Sequence, residues 1–230
     1  LQMKQDGYEA DKNDIIVRHK GLDINLTSNW DGTVDSFTWS KDGSKVYFIA
    51  AIDGTKQLFE VNFPGLTKIM VRVTQITKGD FDVNGIVGFD ASKIIVTRGD
   101  MNHASEIYSY DLKSSVWNQI TKVNDEIYSK ITHCKTERRY VTTTDGKKML
   151  VWIILPPNFD ATKKYPTVLY CQGGPQSALT QFYSFRWNFQ VMASQGYVVV
   201  APNRRGMPGH GVEWNEKISG DWGGQVMDDY

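Results

Sequence analysis

Two grammars in one chain predict its fold class: partial, all-β propeller blades followed by the opening of a doubly wound α/β domain. Three observations carry this. Residues 1–135 alternate apolar and polar residues in the β manner, with Asp-Gly or Asn-Gly pairs between the runs. A strand ending of an apolar residue then threonine recurs there at Thr27, Thr77 and Thr121, 50 and then 44 residues apart. Residues 136–230 change period, with two apolar runs, each closing on a glycine-containing turn, on either side of a run with helical spacing.

In the first half, Asp6-Gly7, Asp31-Gly32, Asp42-Gly43, Asp53-Gly54 and Asn84-Gly85 are expected to supply the positive φ angles of tight hairpins. A second match reinforces the repeat: Phe37–Gly43 leads into Val46–Ile49 much as Ile86–Phe89 leads into Ile94–Thr97. A period of about 40 to 50 residues made of short strands is the pattern of propeller blades, which bury their faces only by stacking. An antiparallel sandwich with coincidental spacing is the alternative. About two to three blades fit, fewer than a closed ring needs.

The second half opens with a predicted hairpin, Tyr140–Gly146 and Met149–Leu155, stopped by Pro156-Pro157. Pro166–Cys171 is expected to be a strand covered on both faces. Between Gln181 and Ser194, Phe182, Phe185, Phe189 and Met192 share one helical stripe, and Gly196 is placed to end that helix. Tyr197–Ala201 is the next strand. Asp221 reads as the N-cap of a last helix carrying Trp222, Val226 and Tyr230 on one face. Neither end of the chain reads as a natural terminus, so both are expected to continue.

Composition excludes several classes. Lys+Arg and Asp+Glu balance at 26 each, without a basic cluster, so nucleic acid is not an expected partner. No apolar run is long enough to span a bilayer, and no leader opens the sequence, which leaves the compartment unassigned. Cys134 and Cys171 are expected to be two free thiols. Unpaired sheet edges would favour pairing with another chain, a homo-oligomer among the outcomes.

Four landmarks in order carry a family likeness: Trp39–Gly43; Thr144–Gly146 with Trp152 and Pro156; Lys164–Pro166 running to Gly173-Gly174-Pro175; and Asn203–Gly206 followed by Gly209–Gly211 and Asp221–Gly224. On these the chain resembles the prolyl oligopeptidase family of serine peptidases, nearest its acylaminoacyl and dipeptidyl peptidase branches. The resemblance implies a β-propeller joined to a C-terminal α/β-hydrolase domain. It implies hydrolysis of short peptides through a Ser-His-Asp acyl-enzyme, without a cofactor or metal. The serine elbow would lie a few tens of residues beyond Tyr230, and the sequence holds no Gly-x-Ser-x-Gly. These 230 residues are therefore expected to be inactive alone. A non-catalytic pseudo-peptidase and an esterase of the same fold are the alternatives.

Acyl transfer needs donors aimed at the oxygen that becomes negative, and the turn Gln172-Gly173-Gly174 is the candidate for that role. Relatives commonly carry histidine, or in another branch tyrosine, where Gln172 stands. A backbone N–H of Gly173 or Gly174 is therefore favoured over the Gln172 amide.

Other chemistry-bearing residues read as structural. An arginine of Arg204-Arg205 is expected to form a salt bridge, or to pin loops near substrate through a carboxylate. His210 is expected to stabilise a turn. Cys171 is read as an inert core thiol rather than a nucleophile. His19, His103 and His133 stand isolated, with no zinc spacing. Asp228-Asp229 is expected on a solvated face, and Glu9 and Asp11 in turns.

Overall fold

A computed structural model describes residues 1–65, 71–174 and 176–230. Two hairpin-like pairs come first: β1 (Gln2–Met3) with β2 (Asn13–Asp14), and β3 (Ile16–His19) with β4 (Leu22–Asn25). Two four-stranded antiparallel meanders follow. The first is β5 (Ser36–Trp39), β6 (Lys45–Ile52), β7 (Thr55–Asn62) and β8 (Val73–Gln75), paired in that order. The second is β9 (Asp82–Asp90), β10 (Lys93–Asp100), β11 (His103–Asp111) and β12 (Trp117–Gln119). They are separate sheets and form partial propeller blades.

The alternation in β6 explains how the blades stack. Val46, Phe48 and Ala50 turn to one face and pack with Ile15, Leu26 and Phe59. Tyr47 and Ile49 turn to the other and meet Phe81, Val83, Ile94 and Val96 of the second meander. With both faces covered, every residue from Val46 to Ala51 is buried. At about 25 cal/mol per Å² of apolar surface, this two-sided burial is the main drive for stacking.

The turns behave as expected at Gly43 and Gly54, which take positive φ; Gly7 takes positive φ too, but in the long connection between β1 and β2 rather than a tight hairpin. Asn84-Gly85 does not form a hairpin tip: it lies inside β9, where the register against β10 shifts between Ile95 and Val96 and again between Thr97 and Arg98. A bulged strand absorbs the small residue there. Asp31-Gly32 is also no hairpin. The Trp30 indole lies over Gly32, so close that an added Cβ would sit 2.6 Å from it.

After the short helix α1 (Asp125–Tyr128), a mixed sheet forms in the order β13 (Lys135–Thr142), β14 (Lys148–Leu155), β16 (Val198–Pro202), β15 (Thr167–Leu169). β13, β14 and β16 pair antiparallel, whereas β15 and β16 run parallel, joined through α2 (Phe189–Ser194). Asn188 caps α2 by accepting from the N–H groups of Gln190 and Val191. Leu150, Trp152, Ile154, Phe189, Ala193, Val199 and Ala201 form the core of this layer.

Three expectations are corrected. The helical stripe from Gln181 begins only at Phe189; Phe182 packs on the core from an irregular segment, and Phe185 stands in solvent. Among the described residues the run Pro166–Cys171 is not covered on both faces: β15 is the outermost strand of the sheet they form, with Leu169 44% exposed and Cys171 exposed. Near the end, α3 (Val212–Glu216) and α4 (Gln225–Asp228) are short, and Gly224, not Asp221, precedes α4. Trp222 faces solvent while Val226 is buried, so only part of the expected stripe forms.

Candidate active site

The turn Gln172-Gly173-Gly174 lies beyond the end of β15, at the carboxyl edge of the parallel pair. Pro175, the last residue of the motif, lies outside the described residues. Gly174 takes φ +63°, and its carbonyl accepts from the Ser177 N–H at 2.9 Å. A Cβ at Gly173 or Gly174 would meet no atom within 4 Å, so both face open space. Among the described residues no acceptor is paired with either glycine's N–H.

The turn is braced from behind. Arg204, only 5% exposed, donates from Nη2 to the Gln172 carbonyl at 3.1 Å, and the Tyr230 hydroxyl donates to the same oxygen at 3.4 Å. Arg204 Nε reaches Tyr230 Oη at 3.0 Å, and Nη1 donates to the Arg205 carbonyl at 2.6 Å. Two donors on one carbonyl fix the peptide plane that leads into Gly173, and charge-assisted bonds of this kind are the stronger sort. The arginine expected to pin a loop thus does so through a backbone carbonyl rather than a carboxylate.

Arg205 forms the expected salt bridge. Its Nη1 meets Asp229 Oδ1 at 2.6 Å, its backbone N–H donates to Asp229 Oδ2 at 2.9 Å, and Nη2 forks onto both oxygens of Asp145 at 2.7 Å. The Asp145 carboxyl is held down at about 2, first by the Thr143 hydroxyl and next by Arg205. Asp228 is solvated as expected, but Asp229 is buried. A position-by-position reading could not separate the two, because their difference is set by Arg205, 24 residues away.

The segment leaving the turn is clamped. Asn203, wholly buried at the end of β16, accepts from the Leu179 N–H at 3.0 Å and donates to its carbonyl at 2.9 Å. Trp152 Nε1 donates to that carbonyl at 3.0 Å. Asp82 of β9 accepts from the Thr180 hydroxyl at 2.5 Å and the Gln181 N–H at 3.2 Å. No local signal marks Asp82, since it lies 98 residues from Thr180.

The remaining candidates take structural places. The buried Nε2 of His210 has no hydrogen-bond partner among the described residues, and burial lowers its pKa to about 4. That is a packed neutral ring, without the hydrogen bond a turn-stabilising role would use. His103 and His133 are not isolated: their rings lie 4.8 Å apart beside a cavity of about 590 Å³ in the second blade. His103 Nδ1 pairs with Asp100 at 2.8 Å, which raises its pKa. Among the described residues no three His, Cys, Asp or Glu side chains are grouped to hold a metal. His19 packs edge-on against Phe63. Both cysteines are unpaired, and burial pushes the Cys134 thiol up to about 11. Asp11 accepts from the Gln5 N–H at 2.6 Å and so closes a turn, while Glu9 is exposed. Among the described residues no helix is long and apolar enough to cross a membrane.

Comparison with known proteins agrees with this geometry. Residues 183–230 match the sequence model of the Prolyl oligopeptidase family. Dipeptidyl-peptidase 5 of Porphyromonas gingivalis is 40% identical over the whole chain, which spans 33% of that protein. Dipeptidyl-peptidase 5 of Porphyromonas endodontalis is 46% identical over 80% of the chain and 26% of its own length. The chain therefore spans about a third of the curated relatives it matches. An uncomplexed acylaminoacyl peptidase from Pyrococcus horikoshii superposes with a TM-score of 0.79 over 98% of the chain and 33% of that structure. At 22% identity that likeness speaks for the fold.

Proposed function

Because the chain belongs to the prolyl oligopeptidase family, we propose that it forms part of a serine peptidase that hydrolyses short peptides, releasing dipeptides or acylated residues. Residues 1–135 are blades of its propeller, and residues 136–230 the start of its α/β-hydrolase domain. The observation that carries the reading is the braced turn. Among the described residues the N–H groups of Gly173 and Gly174 have no acceptor, and a Cβ at either would meet nothing within 4 Å, next to a peptide plane fixed by Arg204 and Tyr230.

In this reading the turn is an oxyanion hole. When the nucleophilic oxygen attacks the scissile carbonyl, negative charge gathers on the carbonyl oxygen. A glycine N–H held in place stabilises that charge without having to reorganise, an effect worth about 3 to 4 kcal/mol per donor. The Gln172 side chain is not required, since its backbone carbonyl is what the brace uses. Serine, aspartate and histidine come from residues outside these 230, consistent with the lack of a Gly-x-Ser-x-Gly here.

The test uses the full-length protein. A fluorophosphonate should label one serine and abolish turnover of a panel of dipeptidyl and N-acyl-aminoacyl substrates, whereas residues 1–230 alone should neither be labelled nor turn over. A full-length protein that resists the label and cleaves no peptide would refute the assignment.

A further inference from the structure

We infer that Asp82 is a positioning residue for the Gly173–Gly174 turn, tying the two blades to the segment that leaves it. The inference rests on the oxyanion reading above and adds what holds that site in register.

Asp82 is wholly buried at the start of β9. Its Oδ1 accepts from the Lys56 N–H of β7 at 2.7 Å and from the Gln181 N–H at 3.2 Å. Its Oδ2 accepts from the Thr180 hydroxyl at 2.5 Å. One carboxylate therefore joins the first blade, the second blade and the peptidase segment. Thr180 and Gln181 are themselves buried, so no solvent replaces these bonds when they break. Gln181 Oε1 takes a further N–H from Met101, in the turn between β10 and β11, at 3.3 Å.

The tether is short on the other side as well. Leu179, next to Thr180, is clamped by Asn203 and Trp152. Two residues earlier, the Ser177 N–H holds the Gly174 carbonyl. Three points hold this stretch, at Gly174 with Ser177, at Leu179 and at Thr180–Gln181, and the last is supplied by the blades. Within a site where about 1 Å of misplacement matters, release of that last point would let the glycine N–H groups drift from the developing charge.

Asp82→Ala in the full-length protein is expected to lower kcat, normalised to folded protein, by roughly tenfold or more with KM nearly unchanged, the pattern of a contact made in the transition state. A peptide aldehyde, which forms a tetrahedral adduct, should lose affinity in parallel. Asp82→Asn keeps an acceptor for the Lys56 and Gln181 N–H groups and should restore most of the rate. Should Asp82→Ala fail to fold, Thr180→Val removes a single bond and should show the same split in smaller degree. Wild-type kcat in Asp82→Ala or, where that does not fold, in Thr180→Val overturns the inference, as does a rise confined to KM. The Gly174→Val variant separates the two levels. If it is impaired while the Asp82 and Thr180 variants are not, only the tether falls; if it too is unimpaired, the oxyanion reading falls with it.

Discussion

The Thr77 hydroxyl donates to Gln57 Oε1 at 2.8 Å while accepting the N–H of Leu58 at 2.9 Å, so one side chain latches the end of a blade to two consecutive residues of β7. The same latch recurs at Thr27, with Asp14 and the Ile15 N–H, and at Thr121, with Glu106 and the Ile107 N–H. The repeated threonines of the sequence are therefore a repeated bond. Each takes up a backbone donor where regular strand pairing stops. Thr77→Val keeps the shape but leaves a buried amide oxygen and a buried N–H without partners, at about 1 to 3 kcal/mol. A lowered urea midpoint is expected, whereas Thr77→Ser, which keeps the hydroxyl, should lose much less.

How much of this was legible in advance depended on distance along the chain. The threonine repeat, the hairpin before Pro156 and the glycine turn after β15 are local patterns, and each was readable from a few residues. Phe182 and Phe185 have helical spacing, yet no helix forms there, because Asn203 and Asp82 take the polar groups of Leu179–Gln181. The roles of Asp82, Asp145 and Asp229 carry no local signal. Each owes its role to partners 98, 60 and 24 residues away.

Gly54 marks where the first blade meets the mixed sheet. At φ +71° it follows Asp53 at the tip between β6 and β7, and an added Cβ would lie 2.3 Å from Leu150 Cδ2 and 2.9 Å from Trp152 Nε1. Both neighbours are fully packed core side chains. Gly54→Ala thus combines overpacking, typically about 1 to 3 kcal/mol, with a left-handed backbone unsuited to alanine. Gly43→Ala has the same φ problem but open space around it and should cost less. Equal losses in thermal midpoint for the two would contradict this.

Asp229 is held by Arg205 with both side chains almost out of solvent, 0% and 4% exposed. Removal of the carboxylate leaves a buried guanidinium with only the half-exposed Asp145 as counter-charge. Asp229→Ala should destabilise by about 3 to 5 kcal/mol. Lys130→Ala, which breaks a pair exposed on both sides, should shift the denaturation midpoint hardly at all.

Gly174→Val tests the turn itself. Among the described residues nothing lies within 4 Å of a Cβ there, and the strain comes from φ +63°, a conformation that β-branched residues avoid. The turn should relax toward negative φ and swing its N–H groups away. In the full-length protein kcat should fall by about 10²–10³-fold while KM changes little, since the ground-state carbonyl makes less use of those donors. Steady-state kinetics on one peptide substrate decide it.

Acid stability should depend on two buried groups with opposite signs. Burial lowers His210 to about 4 from 6.5, with Asp53 and Arg138 as its charged neighbours. Its contribution is whole above pH 6.5 and is lost as the pH falls toward 4, because the unfolded chain takes up the proton first. The difference corresponds to about 3 kcal/mol. Burial raises Asp82 to about 6 from 3.8, against the lowering effect of Thr180, the Lys56 and Gln181 N–H groups and the Lys56 charge. Its contribution is whole below pH 3.8 and is lost as the pH rises through 6, again by about 3 kcal/mol. In the wild-type protein the two slopes oppose each other between pH 4 and 6. His210→Phe should remove one and leave a protein that gains stability on acidification across that window. Asp82→Asn should remove the other and leave one that loses stability more steeply than wild type. Urea midpoints at pH 4, 5, 6 and 7 measure both, and parallel profiles for the two variants would contradict the opposed signs.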